Sequence, residues 1–341
     1  MANIIGGEFK IPLPYIETTG AENGKLFASG RGAFAAILRK VISQNNTIHE
    51  WGGVMLPDYL CSSITQVCID ERIPHQFYHI KEDFLPDEED LFTKLEDNSV
   101  VLLISYFGMI DIKNIADKIK KQNQNVIIIL DDVQNYYSQY SESTFWDYRF
   151  NSYRKWFEIP DGAEVFCRSE TIDFPKAKNT FAQYKFSGNV LKNFSDWVED
   201  NVCLDLIGKG EEILDKDYNC ECSKISSSLI PLIPFEEIKH KRQENAAFLH
   251  TELEKLGIKH IYHSECVPLF IPIFLKDRTE IRKEMFKNNI FTPVHWPYES
   301  EALNGFIKNQ LYETELSLIC DQRYSLADMK RQIAVLNIIN K

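Results

Sequence analysis

The 341-residue sequence has no run of about 18 apolar residues, so no segment reads as a membrane-spanning helix. Residues 1–10 hold no continuous apolar stretch and run into a proline-containing loop, which is not the pattern of a signal peptide. No internal repeat and no low-complexity tract is present, so neither a repeat array nor a biased linker organises the chain. Positive charge is also short: 38 Lys and Arg against 50 Asp and Glu leave a net charge of −12. That balance excludes nucleic acid and anionic membrane as partners, and the positive charge that meets any anionic ligand must be local. Eight cysteines are scattered over the whole length without a disulfide-like spacing, which points to reduced thiols in the cytoplasm. Cys220-Glu221-Cys222 has the wrong spacing for a zinc knuckle and no second pair follows, so no metal is expected there.

What is present is enough apolar residue, 44%, for a sizeable core. Strand-like and helix-like segments alternate. The spacing predicts a helix over 32–43, with Phe34, Ile37, Leu38, Val41 and Ile42 on one face. Strands follow at 54–56, 76–80, 100–105 and 126–130, with helices at 62–69 and 111–120 between them. The second of these carries Ile112, Ile115, Ala116 and Ile119 as its stripe. This rhythm implies an α/β fold with a mostly parallel sheet covered on both faces. After about residue 200 the pattern changes. A long charged helix is expected at 235–256, then a strand at 269–275, a helix at 279–287, a strand at 291–295 and a last helix from 326. The reading is a large domain, 1–235, and a small α+β domain, 236–341.

The chemistry-bearing residues gather around two of these segments. Asp131 closes the apolar run 126–130, where open α/β sheets place their ligands. A buried carboxylate there needs a cation. Lys155 follows some two dozen residues later in Asn151-Ser152-Tyr153-Arg154-Lys155-Trp156, with aromatic flanks that suggest a packed segment. A carboxylate opposite a lysine suits pyridoxal 5′-phosphate (PLP), which needs a covalent amine and a counter-charge for its ring nitrogen. Gln134 lies in reach of the ring's phenolic oxygen, and Ser152 is a candidate for the phosphate. Arg154 would supply a field that lowers the lysine's proton affinity. The small residues of Ser29-Gly30-Arg31-Gly32-Ala33 open a helix whose free amides suit phosphate. They also match a loose dinucleotide pattern, but no acidic residue stands about twenty positions on. Tyr59 is the candidate cover for the cofactor ring, with Cys61 and Phe107 as rivals. His295, before Trp296-Pro297, is a candidate at the site mouth. His260-Ile261-Tyr262-His263 lacks helix signals and a nearby third ligand, and reads as a surface loop.

Taken in order, these segments resemble the DegT/StrS-type sugar aminotransferases, a branch of the fold type I PLP enzymes. Ser29-Gly30-Arg31-Gly32-Ala33 is similar to the family's phosphate turn, and Leu56-Pro57-Asp58-Tyr59 to its "V-P-x-Y/F" strand end. Ser105-Tyr106-Phe107-Gly108 with Asp111 resembles "H-x-F-G…D", and Asp131-Asp132-Val133-Gln134 resembles "E-D-x-x-Q". Ser152-Tyr153-Arg154-Lys155 with Pro160-Asp161-Gly162 looks like the "S-x-R-K…P-D-G" form of the lysine segment. Asp217-Tyr218-Asn219 resembles the "G-Y-N" loop. Two C-terminal segments, at 292–297 and 316–324, resemble "H-x-P" and "L-P-x-D-Q-R-Y".

The resemblance implies a fold type I aminotransferase with PLP, in which glutamate gives its amino group to a keto-sugar nucleotide for polysaccharide or secondary-metabolite synthesis. It implies a homodimer in which Asn219 reaches the phosphate of the neighbouring subunit. The sequence also departs from the family. The lysine stands three residues past the serine instead of five, and the usual "G-E-G-G" is Asp161-Gly162-Ala163-Glu164. Tyr106 replaces a histidine, Arg31 replaces a threonine, and the arginine of "G-Y-N-Y-R" is absent. Other readings therefore stand beside the first: a sugar dehydratase-like or catalytically weak PLP protein, or a dinucleotide-binding oxidoreductase.

Overall fold

The computed structural model describes residues 26–44, 53–138, 145–168, 172–173, 177–194, 197–298 and 309–339. Within them six strands form one sheet: β1 (Val54–Pro57), β2 (His75–Tyr78), β3 (Val100–Ile104), β4 (Ile127–Asp131), β5 (Tyr148–Phe150) and β6 (Val165–Cys167). Their order is β2-β1-β3-β4-β5-β6. The first five run parallel and β6 pairs antiparallel with β5. The β-branched sequences Val-Val-Leu-Leu-Ile and Ile-Ile-Ile-Leu explain the centre: every residue of β3 is buried, as both-sided cover requires.

Helices α1 (Gly30–Gln44), α2 (Ser62–Asp70), α3 (Glu88–Lys94) and α4 (Lys113–Gln122) alternate with these strands. The stripe of α4 is buried at Ile115, Ala116 and Ile119, as its spacing predicts. Next come α5 (Phe181–Lys192), α6 (Asp200–Lys216), α7 (Lys224–Leu229) and the long α8 (Phe235–Leu256). A two-stranded antiparallel sheet follows, β7 (Ile271–Phe274) with β8 (Glu315–Leu318), accompanied by α9 (Arg278–Lys287), α10 (Leu311–Thr314) and α11 (Leu326–Ile339). Helices α8 and α11 pack on each other, and α8 and α9 reach this small sheet.

Two expectations change. Residues 291–295 are not a strand; Phe291 is 66% exposed, and β7 pairs instead with β8, whose Glu315 and Ser317 are buried despite their polarity. Strands β5 and β6 had no clear signal because each has three residues and β5 includes Arg149. Yet β5 completes the edge that matters: the carboxyl ends of β1, β3 and β5 lead into the loops that carry Tyr59, Phe107 and Lys155, and Asp131 itself ends β4.

Candidate active site

Asp131 is the last residue of β4 and is buried. The Val133 N–H donates to its Oδ1 at 2.9 Å. Burial pushes its carboxyl up to about 7, against the Val133 hydrogen bond and the nearby Lys155 charge. The turn is held on both sides. Asp132 accepts from Arg149 Nη1 at 3.2 Å and from Ser138 Oγ at 2.9 Å, and its amide donates to Phe150 O at 2.9 Å. Burial lifts Asp132 to about 7 as well, with Arg149 pulling the other way. Gln134 is buried and its Oε1 accepts from the Phe107 amide at 2.8 Å. Phe107 has φ 56°, a left-handed conformation that costs a bulky residue energy and that this bond helps to hold.

Lys155 ends a single helical turn after β5. The Trp156 Nε1–H donates to Val133 O at 2.9 Å, tying the lysine segment to the Asp131 turn. The Tyr153 amide donates to Gly162 O at 2.9 Å. The Lys155 side chain is reached by water, yet protein surrounds it: it stands in a cleft of about 710 Å³ that Arg154, Lys185, Arg242 and Arg323 also line. The surrounding protein, and then the Arg154 guanidinium, push its ammonium below the ordinary lysine range; Arg31 adds to this, while Cys61 and Glu211 oppose it. The same charge acts on Asp131 and on His295. Lys155, Asp131, Arg31, Cys61 and His295 are therefore neighbours in one electrostatic site.

The helix start of α1 borders this site. The Gly32 amide donates to Ser29 Oγ at 3.1 Å, a side-chain cap. A Cβ on Gly30 would stand 3.0 Å from Val133 Cγ2, and one on Gly32 would meet Tyr218 O at 2.4 Å. Only glycines let this turn sit against the Asp131 turn and the 218 loop together. Arg31 pairs with Asp215 at 2.9 Å and lies over the Tyr218 ring. Asp161, fully buried, fixes the next layer: it accepts from Asn179 Nδ2, Ser223 N and Oγ, and Ser226 Oγ. The adjoining Gly162 and Ala163 amides donate to Ala28 O and Phe27 O, just ahead of the helix start.

The remaining predicted residues take varied places. Tyr59 is wholly buried among Phe84, Tyr106, Trp296 and Tyr312, its hydroxyl without a partner. Cys61 stands at the N-cap position of α2 without a side-chain cap bond and is half-buried. Ser152 is buried at the end of the β5 loop. Arg154 donates to Glu211 Oε1 at 2.8 Å. Asn219 is half-buried and its Oδ1 accepts from Arg39 of the same chain at 2.9 Å. His295 accepts no charge readily: burial, then Lys155, holds it at about 3, and its Nδ1 lies 2.8 Å from Ser317 Oγ.

No protein-family model matches the sequence, and no curated protein matches it. Solved structures do match. Spr1654 of Streptococcus pneumoniae, described as a sugar aminotransferase and determined in its PLP form, gives a TM-score of 0.69 at 14% identity, over 94% of this chain and 87% of its own. A DegT DnrJ EryC1 StrS aminotransferase from Brucella abortus gives 0.63 at 14% identity, over 94% and 87%. The E. coli GDP-4-keto-6-deoxy-D-mannose-3-dehydratase with bound hydrated PLP gives 0.65 at 12% identity, over 94% and 88%. This chain has the fold type I aminotransferase fold. At such identities the likeness is one of fold.

In this aminotransferase fold, sequence reasoning passed over several residues beside the lysine. Glu211 of α6 accepts from both Arg154 and Lys185. Burial works to raise Glu211, but Arg154 and Lys185 overcome it and hold the carboxyl at about 2. Burial, then Arg154, brings Lys185 down to about 8. A half-buried glutamate opposite two cations leaves no periodic signal, because the partners stand 57 and 26 residues away. The Asp132–Arg149 pair was equally invisible. Only the adjacency of Asp131 and Asp132 hinted that one of them needed a cation of the protein's own.

Proposed function

We propose that this protein is a PLP-dependent aminotransferase that transfers an amino group, with glutamate as donor, to a keto-sugar nucleotide or a similar small carbonyl compound. The observation that carries the reading is the pairing of a depressed amine, Lys155, with a buried carboxyl, Asp131, at the carboxyl edge of a parallel sheet. The residues fit the cofactor. Asp131 is a buried acid without a protein cation hydrogen-bonded to it, and a protonated ring nitrogen would be that cation. Lys155 faces open space in a protein-walled cleft, as an amine that must meet an aldehyde requires.

Asp131 would hold the ring nitrogen and Gln134 would face the phenolic oxygen. The Gly30–Gly32 amides, Arg31 and Ser152 would hold the phosphate. Tyr59, Cys61 and Phe107 would border the ring's place. Bound PLP supplies an electron sink for charge that develops on the donor's α-carbon. Lys155 Nζ, whose proton affinity the surrounding protein and Arg154 reduce, would take the proton from the donor's α-carbon and return it two atoms away, across the nitrogen. His295, held neutral, and Arg154 would serve the substrate side. Asp132 is neutralised by Arg149, which leaves Asp131 as the acid available to the cofactor.

The proposal extends to a homodimer in which Asn219 reaches the partner's phosphate, to a division into domains at 235/236, and to a cytoplasmic setting. Eight free thiols and the absence, among the described residues, of a helix long and apolar enough to cross a membrane support that setting. The test is direct. Purified protein with PLP acquires an absorbance band that PLP alone lacks, and glutamate with keto-sugar nucleotides yields amino-sugar product and 2-oxoglutarate. Cofactor binding with loss of a sugar hydroxyl and no amine transfer would point to the dehydratase chemistry named for the E. coli neighbour. NADH binding without PLP binding would overturn both.

A further inference from the structure

Away from the Lys155 cleft, three side chains converge at the end of α8. His250 and Glu254 stand four residues apart on that helix, hence on one face. Gly257, with φ 65°, stops the helix and turns the chain back. That reversal lays His260 against the last turn, and its backbone is fixed to the small sheet: Lys259 O accepts from Phe274 N at 2.9 Å, and residue 260 bridges Ile273. The reading of 260–263 as a surface loop without a third ligand missed this, because the partners come from α8. The His260 side chain is 3% exposed.

The hydrogen bonds fix its tautomer. Ile258 O lies 2.8 Å from His260 Nδ1, and a carbonyl only accepts, so Nδ1 carries the proton. The Nε2 lone pair is left pointing at His250 Nδ1, 2.8 Å away, with Glu254 Oε1 at 3.6 Å. The three ligand atoms lie within 4.8 Å of one another. A ring nitrogen donating to a backbone carbonyl while the other faces a ligand cluster is the outer arrangement that metal-binding histidines use. His250 is braced by stacking on Tyr262 at 4.4 Å and 21°. Glu254, 65% exposed, is free to swing and leaves room for water as a fourth ligand.

We propose that His250, Glu254 and His260 bind a divalent transition metal of the zinc class and so clamp the 257–262 turn to α8. Two imidazoles and one carboxylate suit Zn²⁺ or Co²⁺ and not Mg²⁺ or Ca²⁺, which take oxygen ligands. Tetrahedral bonds of ~2 Å set ligand atoms about 3.3 Å apart, so the two rings open by roughly half an ångström on binding. The site needs no part of the aminotransferase reading.

The experiment is a titration of chelator-treated, full-length protein with ZnCl₂, followed by calorimetry and by thermal unfolding. One ion per chain with a Kd in the micromolar range or tighter, and a higher Tm, is expected. Glu254→Gln, at an exposed position, weakens binding about tenfold, and His260→Asn or His250→Gln abolishes it. Bound Co²⁺ shows a nitrogen- and oxygen-ligated spectrum without a thiolate charge-transfer band. Should His260→Asn fail to fold, His250→Gln and Glu254→Gln decide. No binding, binding that survives these substitutions, or a thiolate band that places the ion on cysteines would overturn the site.

Discussion

Asp131→Asn separates the cost of the buried acid from its use. In wild type, burial lifts the carboxyl from 3.8 to about 7. At ~1.4 kcal/mol per unit this caps the penalty for its charged form at about 4 kcal/mol. The effective dielectric of a relaxing protein interior reduces this to roughly 1–2 kcal/mol. The folded acid binds its proton more tightly than the unfolded one. Its contribution to stability is therefore full below about pH 4 and is lost as pH rises towards about 7. Asparagine is neutral throughout. Without cofactor, Asp131→Asn should match wild type near pH 4 and exceed it by roughly 1–2 kcal/mol near pH 8. Glu315, which burial also raises, is common to both proteins and cancels, whereas the Asp131 charge helps to raise Asp132, so the substitution relieves Asp132 as well and adds to the gain at high pH. Added PLP should reverse the order at pH 8, because its ring nitrogen meets a carboxylate only in wild type. Urea denaturation across this pH range, with and without PLP, reads both effects. A difference that does not change with pH, or a variant less stable near pH 8 without cofactor, would refute the reasoning.

Lys155→Ala should keep weak PLP binding through the phosphate turn while amino transfer falls by about 10³-fold or more, read by coupled assay of 2-oxoglutarate. Gly32→Ala puts a Cβ 2.4 Å from Tyr218 O, so the helix start must move. A stability loss of roughly 1–3 kcal/mol and a PLP Kd raised about tenfold are expected by denaturation and titration. Asp161→Ala strands Ser223, Ser226 and Asn179 together. It should cost about 3 kcal/mol in urea and lower activity by displacing the 161–163 segment from Ala28.

The large sheet was legible because its central strands are β-branched runs, and α4 because its stripe repeats at helical spacing. Strands β5 and β6 were not, being three residues each and stabilised by neighbours far along the chain. The false strand at 291–295 shows the opposite failure. Phe291 has the propensity but faces solvent, while Glu315 in the true strand is buried because the His295 amide and Ser317 hydroxyl donate to it. In the candidate site, the places of Asp131 at a strand end and of Lys155 in the next loop segment were readable from the apolar run before one and the aromatic flanks of the other. Glu211, Lys185 and Arg149 were not, since a charge pair across helices carries no local pattern. His260 was seen but misjudged, because its companions, His250 and Glu254, belong to another element.

The most direct measurement is borohydride reduction of the protein in the presence of PLP, followed by peptide mapping. The expected outcome is one pyridoxyl group per chain, on the peptide that contains Lys155. Label on Lys185, the buried amine beside Arg154, or no stable label at all would contradict the account.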